Sequence, residues 1–88
     1  MYQVLKRDGE TAEFNISKIA VAITKAFEAQ GKQYHPSVID LLALKVTADF
    51  DYKIKDNLIS VEDIQDSVES VLIQAGYADV AKAYILYR

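Results

Sequence analysis

The sequence contains no cysteine and no tryptophan, and it has only one histidine, one proline and three glycines. The absence of cysteine excludes disulfides, thiolate metal sites and cysteine nucleophiles. The single histidine, His35, cannot form a histidine metal site or a paired proton relay. Three isolated glycines are too few for a glycine-rich phosphate loop, so neither a P-loop nor a dinucleotide-binding fingerprint is present. Together these absences argue against catalysis by this chain itself.

Long apolar segments are also absent. No apolar run approaches the ~18 residues of a transmembrane helix, and the N-terminus lacks the apolar core of a signal peptide. A cytoplasmic protein without a membrane partner is therefore expected. The 88 residues fit a single domain over 1–88, with a radius of gyration of about 12 Å. With 51% apolar and 26% charged residues, the composition is that of a folded globule.

The N-terminal segment carries a turn pattern between two extended stretches. Asp8-Gly9 is the dipeptide favoured by a two-residue type I′ turn, so Tyr2 to Arg7 is predicted to pair with Glu10 to Asn15. Strand alternation then predicts one face for the core and one polar face able to meet a ligand. The core face would hold Leu5, Ala12 and Phe14, and the polar face Val4, Lys6, Glu13 and Asn15.

Two amphipathic helices are predicted next. Ser17 can cap the first helix, whose apolar residues recur at helical spacing from Ile16 to Phe27 until Gly31 offers a stop. Pro36 suits the first turn of the second helix, where an N–H is not needed. The second helix is expected to be central because its apolar stripe is broad. That stripe comprises Val38, Ile39, Leu41, Leu42, Leu44, Val46 and Phe50.

The pattern then breaks from Asp51 to Asn57, which predicts a solvated connection. Leu58-Ile59 is predicted to be a short extended segment that adds to the hairpin. Ser60 with Asp63 three residues later is a capping-box pattern, and it opens a third amphipathic helix. The acidic residues at its first turns favour the dipole of that helix; they are Glu62, Asp63, Asp66 and Glu69.

Gly76 ends the third helix, and Tyr77 to Arg88 is predicted to form the last one. Its inward residues would be Val80, Ala81, Tyr84 and Ile85. The predicted fold class is α+β, a four-helix bundle capped by a small two- or three-stranded β-sheet that contains the N-terminal hairpin.

Three cations surround the hairpin turn and the start of the first helix: Lys6, Arg7 and Lys18. In a chain of net charge −3, this local cluster favours a small anionic ligand over nucleic acid. The N-terminus of the first helix can add free N–H groups and a favourable dipole. In the alternative interpretation, Arg7 pairs with Glu10 across the turn and both lysines are merely solvated.

Several short motifs follow one another in a specific order along the chain. They are Val4-Leu5-Lys6-Arg7-Asp8-Gly9, Phe14-Asn15, Lys18-Ile19, Ile64-Gln65-Asp66 and Val80-Ala81-Lys82-Ala83-Tyr84-Ile85-Leu86-Tyr87-Arg88. Taken together, they resemble the ATP-cone, the regulatory nucleotide-binding domain found at the N-terminus of many ribonucleotide reductases, and the resemblance spans essentially the whole chain. It implies that ATP or dATP binds as an allosteric effector between the β cap and the helices.

The resemblance also implies which residues line the nucleotide site. Val4 and Ile19 would flank the purine, and Asn15 would contact the base or sugar. The cations and Gln65 would serve the phosphates, which Mg²⁺ can accompany although the chain has no metal site of its own. The matching positions are Val4, Lys6, Arg7, Asn15, Lys18, Ile19, Gln65 and Arg88.

One position departs from the family pattern. Many members carry a glutamate three residues after the turn glycine, where this chain has Ala12 followed by Glu13. Strand alternation places Glu13 on the opposite face. Either a bulge restores the contact or this protein recognises the adenine ring differently.

The function implied by the resemblance is a non-catalytic sensor in which ATP and dATP compete for one site. Its partner would be the catalytic domain of a ribonucleotide reductase, with the chain as the N-terminal part of that enzyme, and in the family the response commonly involves changes of oligomer. Two alternatives stay open. The chain could be the nucleotide-sensing module of a transcriptional repressor, since a related repressor family joins this cone to a zinc ribbon. It could also be a small helical interaction domain whose basic turn binds an acidic partner and no nucleotide.

Overall fold

The computed structural model describes all residues from 1 to 88 and contains three short strands and four α-helices. The predicted α+β class, four helices with a small sheet, is confirmed. The strands are β1 (Gln3–Leu5), β2 (Thr11–Glu13) and β3 (Leu58–Ser60). The helices are α1 (Ile16–Ala29), α2 (Pro36–Phe50), α3 (Val61–Gln74) and α4 (Ala78–Tyr87), and one 3₁₀ turn, Asp51–Lys53, follows α2.

The sheet has the strand order β2-β1-β3. β1 pairs antiparallel with β2 and parallel with β3. The predicted extended segment at Leu58-Ile59 therefore exists and adds to the hairpin. Because β3 leads directly into α3, the start of that helix is held next to the hairpin.

The turn of the hairpin differs from the predicted one. The Lys6 N–H donates to the Glu10 carbonyl at 2.8 Å, so Lys6 and Glu10 enclose three residues, not two. A type I′ turn needs positive φ at both central positions, but here only Gly9, with φ 88°, has it. Asp8 uses its carboxylate to accept the Glu10 N–H at 3.0 Å. This side-chain bond stabilises the longer loop, and Gly9 supplies its left-handed residue.

The longer loop shifts the strand register by one residue. Relative to β1, the side chains of β2 therefore lie on the face opposite to the predicted one. Val4 lies opposite Ala12, and Gln3 lies opposite Glu13. The prediction that Val4 shares a face with Glu13 is therefore wrong: Val4, Ala12 and Phe14 border one cavity against the helices. Pairing is continuous along β2, so no bulge moves Glu13 to the face of Ala12.

A left-handed turn occurs elsewhere, in the segment predicted to be a solvated connection. Asp56 and Asn57 have φ of 53° and 59°, and Lys55 and Leu58 exchange two backbone hydrogen bonds of 3.0 and 2.9 Å around them. The Gln3 N–H then donates to the Asn57 carbonyl at 2.7 Å. This ordered turn delivers β3 to the edge of β1.

Side chains cap three of the four helices. Asn15, not Ser17, is the N-cap of α1: its Oδ1 accepts the Ser17 N–H at 3.0 Å and the Ser17 hydroxyl at 2.6 Å. His35 caps α2 by accepting the Ser37 N–H at 3.1 Å, and Ser60 caps α3 as predicted. Helix α1 therefore begins at Ile16, one residue before the predicted cap.

The helices form a ring in which α1 and α3 each pack against both α2 and α4. Helix α2 is no more central than the others, contrary to the prediction. Leu41 and Leu44, at 52% and 58% exposed, lie outside the core because the inward arc of α2 is already filled by Ile39, Leu42 and Val46. Ile85 of α4, at 43%, also points outward. No helix combines the length and apolar character that crossing a membrane requires.

An aromatic cluster attaches the sheet to the bundle. Phe50, which is fully buried, meets Tyr2 and Phe14 edge-on with ring centroids 6.0 and 5.7 Å away. Tyr2 and Phe14 are themselves 4.7 Å apart. The cluster fixes the hairpin over the helices and so sets the width of the space between them.

The radius of gyration is 12.6 Å, close to the expected value.

Candidate functional site

Two cavities adjoin each other beside α1. One, of about 270 Å³, lies between the sheet, α1 and α3, and the other, of about 690 Å³, lies between α1 and α4. Lys18, Gln65 and Tyr84 border both cavities. Small-molecule sites typically occupy about 300–1,000 Å³. An elongated ligand can therefore lie across both, with these shared residues at its middle.

The smaller cavity is lined by six of the eight residues predicted for the site. They are Val4, Lys6, Asn15, Lys18, Ile19 and Gln65. Val4, Ile19 and Phe14 belong to the apolar part of the lining. The lysines Lys6 and Lys18 belong to its polar part. Such a space suits a flat, weakly polar group joined to an anionic one. The larger cavity holds a seventh predicted residue, Arg88.

Arg7, the eighth residue, is in the hairpin turn, and its side chain reaches the first turns of α3. It lines neither cavity. Its Nε donates to Glu62 Oε2 at 2.9 Å and its Nη2 donates to Gln65 Oε1 at 2.8 Å. The alternative pairing of Arg7 with Glu10 does not occur. The guanidinium group of Arg7 thus contacts Gln65, which borders both cavities.

Arg88 is held against the same helix further along. Its Nη1 donates to Glu69 Oε2 at 2.8 Å and lies 3.6 Å from Asp66 Oδ1. The Arg88 side chain is 24% exposed and that of Glu69 is 30% exposed, so this pair is better shielded than the pair of Arg7 with Glu62. Both arginines are thus anchored to α3.

Tyr84 stands at the junction of the two cavities. Burial raises the pKa of its hydroxyl, and the positive charges of Arg88 and Arg7 act in the opposite direction. Both guanidinium groups are therefore near enough to affect this hydroxyl electrostatically. The carboxylate of Glu69 acts together with burial to raise the pKa of this hydroxyl, so the hydroxyl lies among charges of both signs.

The start of α1 offers less to an anion than the sequence predicts. Asn15 already engages the N–H groups of Ser17, through its side chain, and of Lys18, through its carbonyl. Because the Asn15 side-chain oxygen is occupied, its amide NH₂ is the group left for a ligand. Lys6 and Lys18 belong to none of the ion pairs in the structure. Side-chain cations therefore dominate this site.

Sequence reasoning missed some residues of the site. Phe14 was assigned to the core face of the hairpin, and it does pack against the core, but it also lines the cavity. Tyr84 was assigned to the core from its helical spacing, and it is buried, but it also lines both cavities. Glu62 and Glu69 were interpreted as partners of the helix dipole and not as partners of the arginines. Their separation of seven residues, with Asp66 between them, is the pattern that could have indicated a common face.

Comparison with known proteins identifies similar sequences. Residues 2–88 match the family described as the ATP cone domain. The chain is 44% identical over 91 residues to the ribonucleoside-diphosphate reductase subunit alpha of Chlamydia pneumoniae, a match that covers 97% of the chain and 9% of that protein. It is 42% identical over 92 residues to the vitamin B12-dependent ribonucleoside-diphosphate reductase of Thermoplasma acidophilum, covering 98% of the chain and 11% of that protein.

A more distant relative is the anaerobic ribonucleoside-triphosphate reductase of Salmonella typhimurium, which is 31% identical over 88 residues. That match covers 97% of the chain and 11% of the relative. The chain spans about a tenth of the length of these relatives. The similarity therefore concerns one segment that reductases of three descriptions have in common.

Proposed function

The chain belongs to the ATP-cone domain family, and on that premise we propose that it binds ATP or dATP as an allosteric effector and controls the activity of a ribonucleotide reductase without catalysing a reaction itself. The observation that supports the proposal is that four cations lie in or beside two adjoining cavities, one of them largely apolar. The cations are Lys6, Arg7, Lys18 and Arg88. An adenine nucleotide combines the two chemistries that this place offers, a flat ring and a chain of phosphates. The described relatives are reductases, which favours this role over that of a repressor module.

The proposed binding mode follows the lining of the two cavities. The purine lies in the smaller cavity between Val4 and Ile19. Asn15 donates from its amide to the base or sugar. The phosphates extend past Lys18 and Gln65 toward the larger cavity, where Arg88 lies. Lys6 and Arg7 reach the phosphates from the hairpin side, Arg7 as a fork and the lysine as a point charge.

ATP and dATP differ by a single 2′-OH, so discrimination must arise from one polar contact. A buried polar group left unpaired when the hydroxyl is absent can bias the choice by about 1–3 kcal/mol. A regulatory response further requires that each nucleotide bind two states of the larger protein with unequal affinity. The hairpin, α1 and the start of α3 are the elements that line this site and whose positions a bound nucleotide could alter.

Adenine nucleotides are expected to stabilise the protein strongly against heat. At a concentration of 100 Kd, binding contributes about 2.7 kcal/mol to the free energy of unfolding. For a domain of this size, each kcal/mol shifts Tm by roughly 4–8 °C, so the expected rise is roughly 10–20 °C. Thermal melts with ATP, dATP and GTP provide the test. If no adenine nucleotide raised Tm more than GTP does, the proposal would be wrong and the interaction-domain alternative would be favoured.

Asn15 is expected to have two separable roles. In Asn15→Ala both the cap and the amide donor are lost, so stability falls by about 0.5–2 kcal/mol and nucleotide affinity also falls. In Asn15→Ser a capping oxygen is retained, so the free energy of unfolding should stay close to that of the wild type while affinity falls as in the alanine variant. Urea denaturation combined with calorimetric titration of ATP separates the roles. Wild-type affinity in Asn15→Ser would show that the amide does not contact the ligand.

A further inference from the structure

Three carboxylates share one face of α3 beside the proposed phosphate site. Glu62, Asp66 and Glu69 are spaced by four and three residues, which places them in one row along the helix. They do not form a group able to hold a metal ion. Instead, each lies within ion-pair distance of an arginine. The row therefore faces Arg7 and Arg88 and not solvent alone.

The arginine ion pairs use the donors that a phosphate group would need. The Nε and Nη2 atoms of Arg7 donate to Glu62 and Gln65 at 2.9 and 2.8 Å. An arginine binds phosphate best through two parallel N–H donors, and this pair of donors is already engaged. Arg88 is engaged by Glu69 at 2.8 Å. In contrast, Lys6 and Lys18 have no carboxylate partner.

We propose that Glu62 and Glu69 compete with the nucleotide phosphates for binding to Arg7 and Arg88. They hold Arg7 and Arg88 when the site is empty, and a polyphosphate must take their place. This inference rests on the proposed function and specifies how its affinity is set. The two lysines attract the phosphates first, and the arginines then exchange their carboxylate partners for phosphate oxygens. The carboxylates thus lower the affinity and raise the nucleotide concentration at which the site fills.

Glu62 is the better residue for a single substitution. Removing the Glu62 charge leaves Arg7 with only the neutral side chain of Gln65. If Glu69 is changed alone, Asp66 remains 3.6 Å from Arg88 and can replace it. The pair of Arg7 with Glu62 is also about half exposed, at 56% and 54%, so glutamine should be accommodated without loss of folding.

The test is titration of ATP and of inorganic tripolyphosphate into the wild type, Glu62→Gln and Glu62→Gln/Glu69→Gln, followed by calorimetry. We expect the affinity for both ligands to rise about twofold to fivefold in the single variant, as for removal of an exposed ion pair, and at least as much in the double variant, where Asp66 can still pair with Arg88. Asp40→Asn is the matched control. It changes the net charge by the same amount as Glu62→Gln, but Asp40 is exposed and takes part in no ion pair. It should leave both affinities unchanged.

A double-mutant cycle with Arg7 separates competition from simple repulsion of the phosphates. If Glu62 acts by occupying Arg7, Glu62→Gln should have no effect on affinity in an Arg7→Ala background. A gain of the same size in that background would overturn competition. Unchanged or weaker binding in Glu62→Gln, while the wild type binds ATP, would overturn this inference alone. Absence of adenine nucleotide binding in the wild type and in every variant would overturn the proposed function together with it.

Discussion

Replacing Phe50 by alanine is expected to lower the free energy of unfolding by about 3–5 kcal/mol, as is typical for removing a buried phenyl ring. Phe50 is fully buried at the end of α2, and it is the ring that both Tyr2 and Phe14 contact edge-on. Its loss leaves a cavity between the sheet and the bundle that neither element can close alone. A protein of this length has a total stability of about 4–13 kcal/mol. The variant should therefore melt at least roughly 12 °C below the wild type.

Tyr52→Ala is the matched control for Phe50→Ala. Tyr52 lies two residues further along, is also aromatic, and is 77% exposed. Its removal should change the free energy of unfolding by less than about 0.5 kcal/mol. Urea denaturation of both variants gives the comparison. A loss below about 1 kcal/mol in Phe50→Ala would show that the sheet can settle onto α2 without this ring, and the aromatic cluster would then not determine the position of the hairpin.

The helices were predictable because each is specified by local residues. Apolar spacing locates the inward faces, and Gly31 and Gly76 end α1 and α3 as predicted, each with positive φ. Burial was less predictable on α2. Leu41 and Leu44 have the same apolar character as the buried leucine beside them, but the ring arrangement leaves no neighbouring helix over their side. Only the packing of the four helices decides which apolar residues are covered.

The hairpin was harder to predict because a single hydrogen bond selects its loop length. Asp8-Gly9 is compatible with a two-residue turn, but the Asp8 carboxylate accepts the Glu10 N–H and favours the longer loop. A shift of one residue then moves every side chain of β2 to the other face relative to β1. Val4 and Lys6, predicted to face a ligand, do border the cavity. Glu13 also borders it, although Glu13 is exposed and lies on the opposite face of its strand from Ala12.

Six of the residues implied by the family resemblance line a common cavity, although composition and spacing indicated only the cations. The carboxylates that hold Arg7 and Arg88 could not be predicted in that way. Each contact joins residues 55 or 19 positions apart, so it depends on how the hairpin and α4 are placed against α3. Local sequence identifies which side chains are charged, but the tertiary arrangement determines how they pair.

Arg7→Ala combined with Lys18→Ala is expected to abolish the nucleotide-induced rise in Tm. A hydrogen bond to a charged group contributes about 1.5–3 kcal/mol, so losing two such contacts should weaken binding by roughly 100-fold or more. Without nucleotide, the variant should melt close to the wild type. The ion pair of Arg7 is about half exposed and contributes little, and Lys18 has no ion-pair partner. Melting curves with and without ATP measure both effects.

The matched control is Lys45→Ala combined with Lys82→Ala, which changes the net charge by the same amount. Both lysines are exposed and neither lines either cavity of the site. Their removal should leave the ATP-induced shift nearly intact, because neither lysine can contact a ligand in these cavities and interactions between exposed charges are screened by salt. Equal losses in the two variants would mean that net charge alone attracts the nucleotide. If Arg7→Ala/Lys18→Ala instead unfolded without ligand, these cations would stabilise the fold, and the hairpin would owe its position over α3 to Arg7 rather than to the aromatic cluster.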